Sequence, residues 1–285
     1  MTTLIRTLIM ALLSLVATLQ AQDFQGIATY KTQRQLDIKL DSTQVNPEMQ
    51  SKMVEMMKKQ FQKTFKLTFN KEESVYKQEE ELDKPNAGLG EGVRIVSIGG
   101  GGGSDVLYKN TKDQRFSEKV DTYGKIFLVK DNLEKIDWEL KSETKYIGEY
   151  QCYKAIFTKM VEKPRLFSST NDEEMKGEDE EPDMEERTVT AWYTPQIPVN
   201  NGPDYYQGLP GLILEVHDGK LTVICSKIVL NPKEKIEIAE PTKGKEVNQE
   251  KYDKIMDKKA KEMMERFRPK KGDRNGESMS FTIGG

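Results

Sequence analysis

Gly202-Pro203-Asp204-Tyr205-Tyr206-Gln207-Gly208-Leu209-Pro210-Gly211-Leu212-Ile213-Leu214-Glu215-Val216 is the stretch whose reading decides the fold. Two Pro/Gly turn signals and two adjacent tyrosines stand ahead of an apolar run. Pro210-Gly211 suits the centre of a type II turn, with proline fixing φ and glycine taking the left-handed position. The run 212–216 then reads as a strand. Beyond it, His217-Asp218-Gly219-Lys220 is a hairpin signal, because Asp-Gly favours the positive φ angles of a type I′ turn. Residues 221–230 supply the return strand. The stretch is therefore a turn that feeds a hairpin.

The rest of the chain carries the same extended style. Phe65-Lys66-Leu67-Thr68-Phe69 alternates with period two, and residues 23–40 and 74–76 continue it. Short extended pieces follow at 106–108, 125–129, 138–140, 150–159 and 188–194, a spacing that predicts a meandering antiparallel sheet. Two helices are expected beside it. Asn46-Pro47-Glu48 can cap and open the first, and Met49, Met53, Met56, Met57 and Phe61 follow helical spacing. The second runs near 248–267, with Tyr252, Ile255, Met256, Ala260, Met263 and Phe267 on one stripe. The fold expected is α+β and mainly β: a curved antiparallel sheet, half-barrel-like and similar in outline to lipoprotein carriers, with two helices packed on its concave side.

The ends set the location. Arg6 precedes an apolar run from Leu8 to Val16, and small residues lead to Ala21. Residues 1–21 read as a secretory signal cleaved after Ala21, too short to span a bilayer. Its removal takes away one positive charge, so the net charge of -3 becomes -4. That balance argues against a nucleic-acid partner. A single domain is expected over 22–268, with loose inserts near 84–104 and 171–186 and a loose tail at 269–285. The protein is expected in the periplasm or secreted, with no transmembrane segment once the signal is gone.

Most chemistries find no home. The run Gly99–Gly103 lacks the lysine and following helix of a phosphate loop. The acidic insert around Gly177 lacks calcium-loop spacing. His217 is the one histidine, which leaves hydrolytic triads and zinc sites short of ligands. No metal and no cofactor are expected. A carboxylate pair remains open as a hydrolase arrangement. Trp138, Trp192, Tyr205, Tyr206 and Leu209 are candidates for lining a ligand site, since apolar walls with a few polar tips make such sites. Ordinary core and turn packing accounts for them equally well. Cys152 and Cys225, an even pair in an exported chain, are most simply a disulfide; two buried thiols are the alternative.

Several blocks together resemble the GLPGLI family. They are residues 106–110, 124–130, 147–155 and 191–198, then the opening stretch, then Cys225-Ser226-Lys227-Ile228. The resemblance implies an exported protein of the Bacteroidetes type and brings no catalytic residue set. The function expected is a non-enzymatic envelope protein that binds a lipid, a peptide or an outer-membrane protein. The alternatives are an interaction protein whose motif only builds the fold, and a carboxylate-based hydrolase.

Overall fold

The computed structural model describes residues 24–35, 62–79, 105–122, 124–162, 183–234 and 236–267, with 263–267 described by backbone alone. Twelve strands join in one sheet: β1 Gly26–Arg34, β2 Thr64–Phe69, β3 Glu73–Gln78, β4 Val106–Asn110, β5 Arg115–Thr122, β6 Lys125–Asn132, β7 Glu139–Ile147, β8 Tyr150–Glu162, β9 Met184–Thr194, β10 Leu212–Asp218, β11 Leu221–Leu230 and β12 Lys245–Val247. Their order is β12-β6-β5-β4-β3-β2-β1-β11-β10-β9-β8-β7. Neighbours are antiparallel except β12, which runs parallel to β6. The sheet is mostly open, with β12 and β7 as its two ends.

Side chains alternate across each strand, so the ladder register sorts residues by face. One row runs Ala28, Leu67, Tyr76, Leu107, Glu118, Val129 and Val247 through seven strands. All but Glu118 are buried apolar residues. Burying each large one adds about 1.5–3 kcal/mol. On the other half, the same face carries Val216, Ala191 and Ala155, again buried. This face is the core.

The expectation of two helices on that face is corrected. The one helix among the described residues is α1, Gln249–Phe267. Asn248 caps it: its side-chain oxygen accepts from Lys251 N–H at 3.2 Å. It lies at the β6 end, where Tyr252 meets Phe127 edge-on at 5.7 Å. The other expected helix, from Asn46, lies outside the described residues. Among the described residues, the segment between β9 and β10 lies over the face, and its Ile197, Val199, Tyr206 and Leu209 are buried. The lipoprotein-carrier outline, with helices in the concavity, therefore fails.

Three strand readings and two turn readings also change. β5, most of β7 and β12 lack apolar alternation, so periodicity missed them. In the β10–β11 hairpin the turn residues are Gly219 and Lys220, and only Gly219 has positive φ, 58°. That is the glycine-first pattern of a type II′ turn, not type I′. At Pro210 the Gly211 N–H donates to the Leu209 carbonyl at 2.8 Å, closing a three-residue turn. Gly211 is required for room: a Cβ there would lie 2.2 Å from the Thr194 carbonyl oxygen.

Candidate functional site

The opening stretch of sequence is held against the core face by side chains from both halves of the sheet. Lys109 on β4 is fully buried. Its Nζ donates to the carbonyls of Gly202 at 2.8 Å, Asp204 at 2.5 Å and Tyr206 at 3.3 Å. Three donors meet three acceptors, which fills the hydrogen-bonding capacity of an ammonium. Burial pushes this lysine down to about 7, and the Asp204 charge opposes that. The carbonyls favour the ammonium form as well. Asp204 itself has a left-handed backbone, φ 50°. Its carbonyl is one of the three in the cage, so Lys109 holds a conformation that a non-glycine residue adopts reluctantly.

The two tyrosines take different anchors. Tyr205 Oη donates to Glu118 Oε2 at 2.7 Å, and its ring meets Phe116 edge-on at 5.2 Å. Burial raises the Glu118 carboxyl to about 7, against the lowering effect of the Tyr205 hydroxyl. Tyr206 Oη donates to Asp218 Oδ2 at 2.8 Å. The same oxygen accepts from Lys159 Nζ at 2.6 Å, and Arg187 stands 3.8 Å from Oδ1. Both phenols are raised well above their ordinary value, first by burial and then by the carboxylate beside each. They are donors throughout the physiological range.

Glu118 on β5 and Asp218 on β10 are six places apart in the strand order. A flat sheet would separate them by roughly 28 Å, at about 4.7 Å per strand. Two adjacent tyrosines cannot span that, so the sheet bends around the loop. Further ties close its ends. Tyr30 Oη donates to the Ile213 carbonyl at 2.7 Å, and Trp138 Nε1 to the Gln207 carbonyl at 2.8 Å. Gln207 reaches the Glu134 carbonyl at 3.0 Å.

Of the five residues expected to line a ligand site, four come together here, and all four are engaged inward. Trp138 stacks edge-on with Phe157 at 4.7 Å, and Phe157 lies 6.4 Å from the Tyr206 ring. Leu209 is buried. Trp192 is on the other face, opposite Lys154 and Glu215 in the ladders. Lys145 Nζ sits 4.4 Å over its ring and 2.6 Å from Glu215 Oε1. His217 Nε2 is 2.5 Å from the same oxygen, and its Nδ1 is 3.1 Å from Thr222 Oγ1. Hydroxyl, imidazole and carboxylate are the residue types of a hydrolytic relay. Here the carboxylate already carries Lys145, and the file ties β7, β10 and β11 together.

Cys152 and Cys225 are both buried and stand as free thiols; the bond expected between them is not formed in this structure. Burial raises them to about 11 and about 12, and Cys152 adds to the rise at Cys225. Lys109, Glu118, Asp218 and Lys159 were missed as site residues. One signal was available: Lys109 shares strand parity with Leu107, and Glu118 with Phe116 and Val120, so each charge falls on an apolar face. Among the described residues no group of three or more His, Cys, Asp or Glu side chains is placed to hold a metal, and no helix is long and apolar enough to cross a membrane.

No curated protein sequence matches this chain. Two structures of a protein described as PNGF-II, in space groups C2 and P21, are similar at 15% and 16% identity, each with a TM-score of 0.46. Each comparison covers 82% of this chain and 33% of that one, so the chain spans about a third of its length. Likeness at that level carries no argument about activity. Residues 138–215 are similar to a family described as "Protein of unknown function (Porph_ging)". That span includes Gly208–Ile213, although the match does not bear the GLPGLI name that the sequence suggested.

Proposed function

We propose that this chain is a non-catalytic interaction protein of the cell envelope whose signature loop is an internal brace. The observation that carries this reading is the Lys109 cage: a buried ammonium spends its three donors on three carbonyls of the loop. A loop evolved to meet substrate would keep donors and acceptors free for it. This one directs both tyrosine hydroxyls to partly buried carboxylates of the sheet. Ile197, Val199, Tyr206 and Leu209 of the segment that carries the loop are buried, which weighs against a carrier cavity at that place. The carboxylates beneath the loop are each matched to a tyrosine, so the hydrolase alternative gains nothing from them. Export rests on the N-terminal segment and on the resemblance, and N-terminal sequencing of the purified protein should begin at Gln22.

The test compares stability with partner capture. Lys109→Met and the double variant Tyr205→Phe/Tyr206→Phe are unfolded in denaturant. A brace predicts lower midpoints for both. An active loop predicts midpoints unchanged or raised, since functional groups are commonly kept at some cost to stability. Native mass spectrometry of protein isolated from its own envelope then identifies the partner.

A further inference from the structure

β7 is one end of the sheet: among the described residues no strand pairs with its outer side. Such an edge presents unpaired N–H and C=O groups, to which another extended chain can add. Its odd positions read Glu139, Lys141, Glu143 and Lys145, a charge at every step with the sign alternating. Lys141 pairs with Glu139, and Lys154 with Glu143 at 2.9 Å, on the side of the sheet away from the core. The even positions differ. Leu140 is opposite Ala155 and Tyr146 opposite Gln151, so both lie on the side that carries the core. They are 56% and 71% exposed. The register to β8 shifts between Leu140 and Thr144, which leaves residues 141–143 without ladder partners on β8.

We propose that β7 pairs with β7 of a second copy of this chain, antiparallel about a two-fold axis at Ser142. In that register Glu139 of each copy faces Lys145 of the other, and Lys141 faces Glu143. Four opposite-charge pairs form across the seam, each favourable in an antiparallel pair. Sliding by two residues one way sets Glu143 against Glu143 and Lys141 against Lys145. Sliding two the other way sets Lys141 against Lys141 and Glu139 against Glu143. Sliding by one turns the core side of one copy toward the charged side of the other. The alternation of sign thus selects one register and rejects unrelated strands. Lys145 also serves Glu215 and covers Trp192, so the inner pairs, Lys141 with Glu143, carry most of the selectivity. The contact is isologous, so pairing through this edge stops at two copies. An edge contact this short makes a weak dimer that depends on concentration. None of these residues anchors the loop, so the interface is separate from the brace.

Sedimentation velocity of the full chain over a concentration series at low salt tests the pairing. A monomer–dimer equilibrium is expected, weakened by added salt. Hydrogen exchange within residues 139–147 should slow as the dimer forms. Lys141→Glu and Glu143→Lys should each weaken dimerisation about tenfold, because one substitution sets two like-charge pairs in the symmetric dimer. Mixed one to one, the two variants should recover a heterodimer, since their changes are complementary across the seam. Lys141→Glu/Glu143→Lys in a single chain should dimerise like the parent. Far-UV circular dichroism confirms that each variant is folded. A chain that stays monomeric throughout the series would overturn the proposal. So would a dimer whose exchange at 139–147 is unchanged, single variants that dimerise like the parent, or no recovery on mixing. Binding of an unrelated extended peptide along β7 by a monomeric chain would overturn it too.

Discussion

Tyr205 and Tyr206, neighbours in the chain, hold carboxylates from opposite halves of the sheet: Tyr205 binds Glu118 on β5 at 2.7 Å and Tyr206 binds Asp218 on β10 at 2.8 Å. The loop thus works as a tie across a bent sheet. Lys109 fixes the loop backbone between the two anchors. The consequences for stability differ from one anchor to the next.

Lys109→Met keeps the length of the side chain and removes the ammonium. The carbonyls of Gly202 and Tyr206, both buried, and of Asp204 lose their donor, and each lost partner costs about 1–3 kcal/mol where water cannot replace it. Some relaxation of the loop offsets part of that. The expected loss is about 3–5 kcal/mol in denaturant unfolding, among the largest for a single substitution in this chain.

Tyr206→Phe should cost more than Tyr205→Phe. Asp218 Oδ2 accepts from both Tyr206 and Lys159, and among the described residues its Oδ1 lacks a hydrogen-bond partner. Glu118 can respond by taking up a proton. About 2 kcal/mol for Tyr206→Phe and about 1 kcal/mol for Tyr205→Phe follow. A double-mutant cycle in denaturant should show coupling between them, because both act through one loop.

Glu118 makes stability depend on pH. Its carboxyl rises from 4.5 in the unfolded chain to about 7 in the fold. The folded state therefore holds the proton more tightly. The stabilisation is fully present below pH 4.5 and is lost as pH rises through 7, by up to about 3 kcal/mol. Glu118→Gln should flatten this part of the profile relative to the parent chain. Tyr205→Phe removes a lowering contact, so it should carry the transition to higher pH.

The cysteines should be slow to label. A thiolate is the reactive form, and burial holds both thiols far above neutral pH. Folded protein should resist a disulfide reagent for hours. In denaturant without reductant, two thiols per chain are expected. None would indicate the bond first expected from the sequence.

The sheet was legible where one face is apolar and the other polar. β2, β8 and β10–β11 announce themselves by alternation and by the Asp-Gly turn. β5 and β7 did not, for different reasons. In β5 the core face carries Glu118 between Phe116 and Val120, so the apolar period breaks at the residue that anchors Tyr205. In β7 the run Glu139–Ile147 ends the sheet, and its charges suit an edge strand. The signature was legible as a turn, but its turn type was not. Gly211 is glycine because the Thr194 carbonyl lies against it, a contact that depends on a strand brought in from elsewhere. The same limit hid the site. Tyr205 and Tyr206 stood out as aromatic pairs do, whereas their partners come from ladder positions that only the fold brings beneath the loop.

Hydrogen exchange across residues 202–216 bears most directly on the brace. Leu212 N–H donates to the Ile197 carbonyl and Ile213 N–H to the Asn201 carbonyl, each at 3.0 Å, and Tyr206 N–H donates to the Pro203 carbonyl at 3.1 Å. If the loop is a brace, these amides exchange as slowly as those of β10, and Lys109→Met speeds loop and strand together. Exchange of residues 202–211 within seconds, in parent and variant alike, would show a mobile surface loop and contradict the account.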